Sequence, residues 1–345
     1  LESRQLIGSR QVALEVVRLL RDVVAGAKFS SFQQLVDHLE EVGRLLQEAG
    51  PKELVVTNMT RRICMLIREE YQTALSNHLD DTDNTGGSGG AGPSSFPNSP
   101  SDFAYDDNAA NTPEEDDFSR RSFSLKPVFI EAIAELMDEV ETTYRSVGEQ
   151  AIEHIHSGEF IMTIGHSKTV EAFLKNAARK RKFTVICAET APSFSGQKAA
   201  MAYSSAGIAT ILIPDSNIFA LLPRCSKVLL GPHVILADGA LLSIAGSLPL
   251  CLAANRMRVP VVAVGGMFKF SPVYLGEAAD WGMRDLGSPE EVLPSTEECE
   301  QEETEILNPY YDVVPADLVS LYISNLGGHP SSLLYRLLND MYGSS

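Results

Sequence analysis

Short apolar runs alternate with helical stretches through the second half of this 345-residue sequence, and no other feature constrains its fold as strongly. The runs cover residues 160–164, 183–188, 209–213, 228–230 with 234–236, and 259–264, and helical patterns begin near Thr169, Gln197, Asn217 and Ser247. Alternation at this spacing predicts a parallel sheet with helices on both faces. Ligands usually bind at the carboxyl ends of the strands in such sheets, so the loops after the runs are candidate sites.

The first 80 residues carry helical periodicity instead. In one segment, which ends at Gly50 and Pro51, apolar residues recur at spacings of three and four: Phe32, Leu35, Val36, Leu39, Val42, Leu45 and Leu46. Similar patterns on either side predict three amphipathic helices in an N-terminal helical domain over residues 1–80. The pattern returns over residues 125–157, where about 30 residues at 1.5 Å each predict a connecting helix of about 45 Å. The predicted fold class is α/β, with the parallel-sheet domain over residues 158–345.

Acidic residues are concentrated in two segments. The sequence has 46 Asp and Glu against 28 Lys and Arg, a formal net charge of -18, and 19 of the acids lie in residues 81–117 and 285–312, which contain neither Lys nor Arg. Gly, Ser, Pro, Asn and Asp dominate the first segment, so we expect an acidic linker over residues 81–124 and an acidic loop at about residues 285–307. A net negative charge argues against a surface that binds a phosphate backbone, so no direct nucleic-acid binding is expected.

Cysteine spacing and the N-terminal residues bear on the compartment. The five cysteines are scattered without a CxxC pair, so no disulfide framework is expected. Residues 1–8 lack a basic stretch followed by an apolar run, so no secretory signal is expected. The most apolar stretch, residues 234–254, is interrupted by Asp238 and Pro249, which favours a buried strand and helix over a membrane span. We therefore expect a cytosolic protein that does not contact a membrane.

Two segments are candidate partner-binding or anion-binding sites. Ser167, Lys168 and Thr169 follow the first predicted strand at the start of a helix, where free N–H groups bind anions, although capping of the helix is the simpler role. Four basic residues close the same helix: Arg179, Lys180, Arg181 and Lys182. They either complement the helix dipole, the role we favour, or form a docking patch for an acidic partner.

Other reactive side chains are weaker candidates. His154 and His156 are two apart and face different sides of a helix, so no metal site is predicted. Cys187 is the thiol best placed for an active site, but no base is paired with it in the sequence, and a buried core role is favoured. His233 is expected to be structural, and Asp238 either contacts a ligand or caps the next helix, the role we favour. No catalytic residue, metal ligand or cofactor site is therefore assigned.

Several separate segments agree in order and spacing with a known family: residues 161–165, 169–175, 179–183, 231–239 and 325–328. With them the chain resembles the beta branch of the alpha, beta and delta regulatory subunits of eukaryotic translation initiation factor 2B over most of residues 125–345. Residues 308–318 look like a signature that this family shares with the methylthioribose-phosphate and ribose-bisphosphate isomerases. The resemblance implies a helical N-terminal domain followed by a Rossmann-like C-terminal domain.

The same resemblance separates this chain from the isomerases. Those enzymes use a Cys at the end of an early strand and an Asp in a Gly-Ala-Asp triplet, whereas this strand ends in Gly165-His166 and the triplet reads Gly231-Pro232-His233. Proton transfer between adjacent sugar carbons needs a positioned acid and base, so the loss of both predicts a protein that is not an enzyme. The alternatives are an isomerase that uses Cys187 and Asp238 instead, and a free-standing sensor of sugar phosphates or nucleotides.

The resemblance implies a set of partners. We expect a non-catalytic regulatory subunit of the guanine-nucleotide exchange factor for translation initiation factor 2, assembled with the alpha, gamma, delta and epsilon subunits of factor 2B. It would help to bind the alpha subunit of initiation factor 2 and to sense its phosphorylation, with exchange catalysed in other subunits. A phosphate group would need a basic surface rich in hydrogen-bond donors, for which the two candidate segments are suited.

Overall fold

The computed structural model describes residues 8–50, 53–85, 122–274, 276, 286–293 and 305–343. Its first part consists of three helices: α1 (Ser9–Gly26), α2 (Phe32–Ala49) and α3 (Leu54–Thr85). Helix α3 extends five residues into the segment whose composition predicts the linker. Most of the predicted linker, and residues 294–304 of the predicted acidic loop, lie outside the described residues, so both assignments stay predictions.

A long helix joins the N-terminal helices to the sheet. Helix α4 (Lys126–His154) has 29 residues, and Phe129 and Ile133 near its start are buried among α1, α2 and α3. Val147 and Ala151 near its end are buried in a second core, against the sheet. Because one continuous helix contributes to both cores, it fixes the position of the helical part relative to the sheet.

The central sheet has seven strands in the order β10-β9-β7-β4-β1-β2-β3. Its strands are β1 (Phe160–Ile164), β2 (Thr184–Ala188), β3 (Ala209–Ile213), β4 (Lys227–Leu230), β7 (Val261–Val264), β9 (Leu321–Ser324) and β10 (Gly327–His329). All neighbouring pairs are parallel except β9 with β10. The prediction of an α/β fold with a mostly parallel, Rossmann-like sheet is confirmed.

A second sheet of three antiparallel strands is not predicted by the sequence pattern. It contains β5 (Val234–Ile235), β6 (Leu241–Ile244) and β8 (Tyr311–Val314). The run at residues 234–236 therefore leaves the central sheet instead of continuing with residues 228–230. Pro232 has no N–H to donate to a sheet, and the N–H of His233 pairs with the carbonyl oxygen of Leu242, which begins the antiparallel pairing.

Helices cover both faces of the central sheet. The remaining α-helices of the described chain are α5 (Lys168–Ala178), α6 (Ser195–Ser205), the single turn α7 (Ile218–Leu221), α8 (Ser247–Met257) and α9 (Leu334–Tyr342). Phe173 of α5 and Tyr203 of α6 are buried on one face, and Leu250 and Cys251 of α8 on the other. None of the described helices is long and apolar enough to cross a membrane.

Candidate functional site

The loop between β1 and α5 contains the first candidate segment. Gly165 has a φ of +70°, and its N–H donates to Thr190 Oγ1 at 2.8 Å. Ser167 is the N-cap of α5, and its Oγ accepts from the N–H of Val170 at 3.5 Å. The predicted capping role of Ser167 agrees with this geometry, and it orients the residues that follow.

Ser167, Lys168 and Thr169 also line a cavity of about 790 Å³ between α1 and the carboxyl edge of the central sheet. Basic side chains in its wall include Arg10, Arg18, Lys168 and Lys269. The carboxylates that the described residues contribute, Glu15 and Glu141, both lie near Arg18, at 2.9 and 4.0 Å. The cavity is polar and basic, and such a wall suits an anionic ligand better than an apolar one.

Lys269 is the least expected member of this wall. The residue is only 8% exposed, and its Nζ donates to the carbonyl oxygen of Pro232 at 2.8 Å. Burial lowers the pKa of the Lys269 ammonium from 10.5 to about 8, because the charged form loses its hydration. Nothing in the sequence singles out this lysine, which follows an apolar strand and lies between two phenylalanines.

His233 connects the N-terminal helices to the sheet domain. Its Nδ1 lies 3.1 Å from the Ser9 hydroxyl, and its Nε2 lies 3.4 Å from Oε2 of Glu53. Its ring stacks on Tyr311, with 4.8 Å between the ring centroids. The predicted structural role of His233 agrees with these contacts. The resemblance to the isomerases implies an Asp at this position of the sequence, where this chain has a histidine.

Glu171 links two basic side chains at the start of α5. Its Oε2 lies 2.9 Å from His166 Nε2, and its Oε1 accepts from Lys175 Nζ at 2.5 Å. Burial opposes ionisation of Glu171, but the hydrogen bonds from Lys175 and His166 prevail and hold the pKa of this carboxyl below its ordinary value. The carboxylate is therefore ionised and engaged, and it does not act as a proton donor at neutral pH.

Cys187 and Asp238, the two residues that the alternative isomerase would use, are far apart in the structure. Cys187 is fully buried in β2, its Sγ lies 3.2 Å from the carbonyl oxygen of Gly196, and burial raises the thiol pKa to about 12. The favoured core role of Cys187 is confirmed. Next to Asp238, the carbonyl oxygen of Gly239 accepts from the hydroxyl of Tyr322 on β9. Strands β2 and β9 are four strand spacings apart, about 19 Å.

The prediction that Asp238 caps a helix is wrong. Its Oδ1 accepts from the N–H of Ala240 at 3.0 Å, inside the tight turn between β5 and β6. Gly239 in this turn has a φ of +87°, a conformation that glycine adopts readily. The chain therefore reverses into a strand where the sequence pattern predicts a helix.

The second candidate segment lies away from the cavity. Arg179 is the C-cap of α5, and Arg179, Lys180 and Lys182 are exposed. Helix α5 has 11 residues, so Arg179 is about 16 Å from the cavity end of the helix. The two candidate segments therefore do not form one site. Within the described ranges, no group of three His, Cys, Asp or Glu side chains is arranged to hold a metal ion.

Comparison with known proteins assigns the family. The sequence matches the Initiation factor 2 subunit family over residues 5–331. It is 39% identical to translation initiation factor eIF2B subunit beta of Dictyostelium discoideum over 362 residues, which cover 99% of this chain and 93% of that protein. The same subunit of Schizosaccharomyces pombe is 37% identical over 373 residues, covering 100% of this chain and 94% of the relative.

Ribose 1,5-bisphosphate isomerases match less of the sequence than these subunits do. The ribose 1,5-bisphosphate isomerase of Pyrococcus furiosus is 32% identical over 223 residues, which cover 64% of this chain and 68% of that protein. Among solved structures, the tetrameric eIF2B-beta2-delta2 complex of Chaetomium thermophilum contains a chain that superposes with a TM-score of 0.71 at 25% identity, covering 99% of this chain and 91% of that one.

The fold and these matches define a class of protein. Its members, initiation-factor subunits and sugar-phosphate isomerases, share a helical N-terminal part followed by a Rossmann-like domain. The chain belongs to the Initiation factor 2 subunit family. Its full-length similarity to eIF2B beta subunits, with the isomerases more distant, supports a regulatory, non-catalytic role.

Proposed function

We propose that this chain is a non-catalytic regulatory subunit of a guanine-nucleotide exchange factor for translation initiation factor 2, and that exchange is catalysed in other subunits. The observation that carries this proposal is the composition of the cavity at the carboxyl edge of the sheet. Among the described residues no thiol lines it, and the two carboxylates that do, Glu15 and Glu141, lie near Arg18. Proton transfer between sugar carbons needs a positioned acid and base. The described wall offers neither the Cys nor the free carboxylate that the resemblance to the isomerases implies.

The edge of the central sheet supports assembly with related subunits. Strand β3 is an edge strand, and Ile211 and Leu212 on it are 42% and 46% exposed. Met201 of α6 and Phe219 of α7 are also exposed. An apolar edge strand with unpaired backbone groups is a liability for an isolated chain, since it invites pairing with another surface. We propose that a related subunit covers it.

The proposed complex contains the alpha, gamma, delta and epsilon subunits of eIF2B, and its substrate is initiation factor 2, bound through the alpha subunit of that factor. A subunit of this kind acts in the cytosol, where translation starts. Regulation follows from differential binding: a subunit that binds phosphorylated and unphosphorylated initiation factor 2 differently shifts the complex between productive and unproductive states.

Reconstitution tests the proposal. The chain is co-expressed with the four other subunits, and release of labelled GDP from initiation factor 2 is measured with and without phosphorylation of its alpha subunit. We expect exchange to slow on phosphorylation only when this chain is present. Unchanged inhibition in a complex that lacks the chain, or conversion of ribose 1,5-bisphosphate by the chain alone, would contradict the proposal.

Substitutions in β3 test the assembly step separately. We expect Ile211→Lys with Leu212→Lys to release the chain from the complex in sedimentation experiments, since two charges would be buried at the interface. Leu45→Lys is the matched control, because Leu45 is 53% exposed on α2, away from the sheet edge. Retention of the β3 variant in the complex would place the interface elsewhere.

A second candidate function is binding of a phosphorylated small molecule in the cavity. Its basic wall favours this function, with Arg10 contributed by α1 and Lys168 by the start of α5. Calorimetry with ribose 1,5-bisphosphate should then show binding that Lys168→Gln weakens, while Lys198→Gln, on exposed α6 surface, leaves it unchanged. An absence of heat with the unmodified chain would remove this candidate without affecting the regulatory proposal.

A further inference from the structure

The amino-terminal edge of the central sheet has a distinctive charge. Strand register places Phe160 of β1 opposite Thr184 of β2, Ile161 opposite Lys227 of β4, and Val228 opposite Val261 of β7. Four neighbouring strands therefore begin side by side. This edge lies at the opposite end of the strands from the cavity, so it is a separate surface.

Basic residues dominate the positions that lead into these four strands. The first residue of each strand and the three residues before it include Arg181, Lys182, Arg224, Lys227 and Arg258, but only one acid, Glu159. Glu159 pairs with Lys227 at 3.1 Å. Three more basic residues lie just upstream. We call the following seven residues the basic edge: Arg179, Lys180, Arg181, Lys182, Arg224, Arg256 and Arg258.

Contacts within the described part of the chain do not neutralise the basic edge. None of its seven residues forms an ion pair with a carboxylate in the described part of the chain, and Arg181 Nε is buried without a hydrogen-bond partner there. Helix dipoles explain the positions of some of these basic residues, because α5 ends beside Arg179 and α8 ends beside Arg258, and positive charges are favourable at the carboxyl end of a helix. They do not account for Lys182 or Arg224, which lie beyond the ends of these helices.

We propose that the basic edge docks an acidic segment of a partner protein. Guanidinium groups match carboxylates in bidentate geometry, and a buried N–H without a partner gains most from such an acceptor. Single-stranded nucleic acid fits less well, because it binds to aromatic stacking platforms. Phe183 is buried here, and Phe160 lies beneath the guanidinium of Arg224, 5.4 Å from the ring centroid.

Binding of a labelled acidic peptide to the full chain tests the proposal. The probe is a Glu and Asp peptide of about 20 residues, compared with oligouridylate of about the same charge, at about 50 and 200 mM salt. The edge variant carries Arg179→Glu, Lys180→Glu and Lys182→Glu. The control carries Lys28→Glu, Lys198→Glu and Arg336→Glu, at exposed positions elsewhere, so both variants change the net charge equally.

We expect the edge variant to weaken peptide binding at least about tenfold and the control about twofold or less, as measured by fluorescence anisotropy. Equal losses in the two variants, no binding by the unmodified chain, or tighter binding of oligouridylate would each overturn the proposal. If the Glu variant fails to fold, as judged by circular dichroism, the Gln variants at the same three positions replace it. The outcome is independent of nucleotide exchange, so it does not bear on the regulatory function.

Discussion

Gly231 lies so close to Ser167 that a Cβ on Gly231 would be 2.2 Å from the Ser167 Oγ and 2.3 Å from its Cβ. The glycine after β4 thus allows the N-cap of α5 to approach the neighbouring strand. Side-chain volume, not backbone conformation, sets this requirement, since Gly231 has no positive φ.

Gly231→Ala should therefore destabilise the protein by about 1–3 kcal/mol, measured by urea unfolding. The Ser167→Gly background removes the two closest atoms, so the added cost of Gly231→Ala should be clearly smaller there. Gly26→Ala is the control, because a Cβ at Gly26 meets nothing within 4 Å. Equal costs of Gly231→Ala in both backgrounds would show that the clash is not with Ser167.

Asp312 fixes the start of α8 from outside the helix. Its Oδ2 accepts from the N–H of Gly246 at 2.8 Å and from the N–H of Leu248 at 3.0 Å. Asp312→Ala should cost about 1–2 kcal/mol of unfolding free energy, as for the loss of an N-cap, and Asp312→Asn should cost less because it keeps an acceptor. Asp317→Ala, an exposed position in the turn that follows β8, is the control. A loss for Asp317→Ala as large as that for Asp312→Ala would contradict a specific capping role.

Local sequence signals predict the parts of this fold that depend on local structure. Residues 160–164 and 209–213 coincide with β1 and β3, because each is a short, mainly apolar run that is followed directly by a glycine or a proline, Gly165 or Pro214. The pair β9 and β10 is not predicted, since the second strand is Gly327–His329 and contains two glycines, which carry little strand signal.

Some features of the candidate site are likewise predictable from local sequence, and others depend on residues that are distant in sequence. Ser167 is predictable as a cap because the signal lies within a few residues of the helix start. The contact of Ser9 with His233 joins residues 224 apart, and the bond of Lys269 to Pro232 depends on how β5 leaves the central sheet. No local pattern encodes such pairings, so the cavity wall becomes visible only in the folded chain.

Burial should make Cys187 unreactive in the folded protein. The thiol is buried beneath α6, and burial raises its pKa to about 12, so almost no thiolate is present at pH 8. We expect alkylation of Cys187 at pH 8 to be more than about 100-fold slower than in the urea-unfolded chain, measured residue by residue by mass spectrometry. Comparable rates in the folded and unfolded chain would reveal an accessible thiol and would reopen the isomerase alternative.

Lys269 should leave a signature in the pH dependence of stability. Its pKa is about 8 in the folded protein and near the ordinary 10.5 when unfolded, so between these values the unfolded chain binds more protons than the folded one. Stability contributed by this group therefore rises as the pH increases from about 8 to 10.5, by about 3 kcal/mol in total. Below pH 8 both states are protonated, and the folded state bears the full cost of burying the charge.

Lys269→Met removes the titrating group, so the unfolding free energy of the unmodified chain minus that of the variant should increase across this window. Urea unfolding at several pH values from 7 to 10.5 measures that difference. Lys28→Met, at an exposed position, should leave the profile parallel to that of the unmodified chain. Parallel profiles for Lys269→Met as well would mean that the ammonium keeps its hydration in the folded state, and that the cavity wall is wetter than its packing indicates.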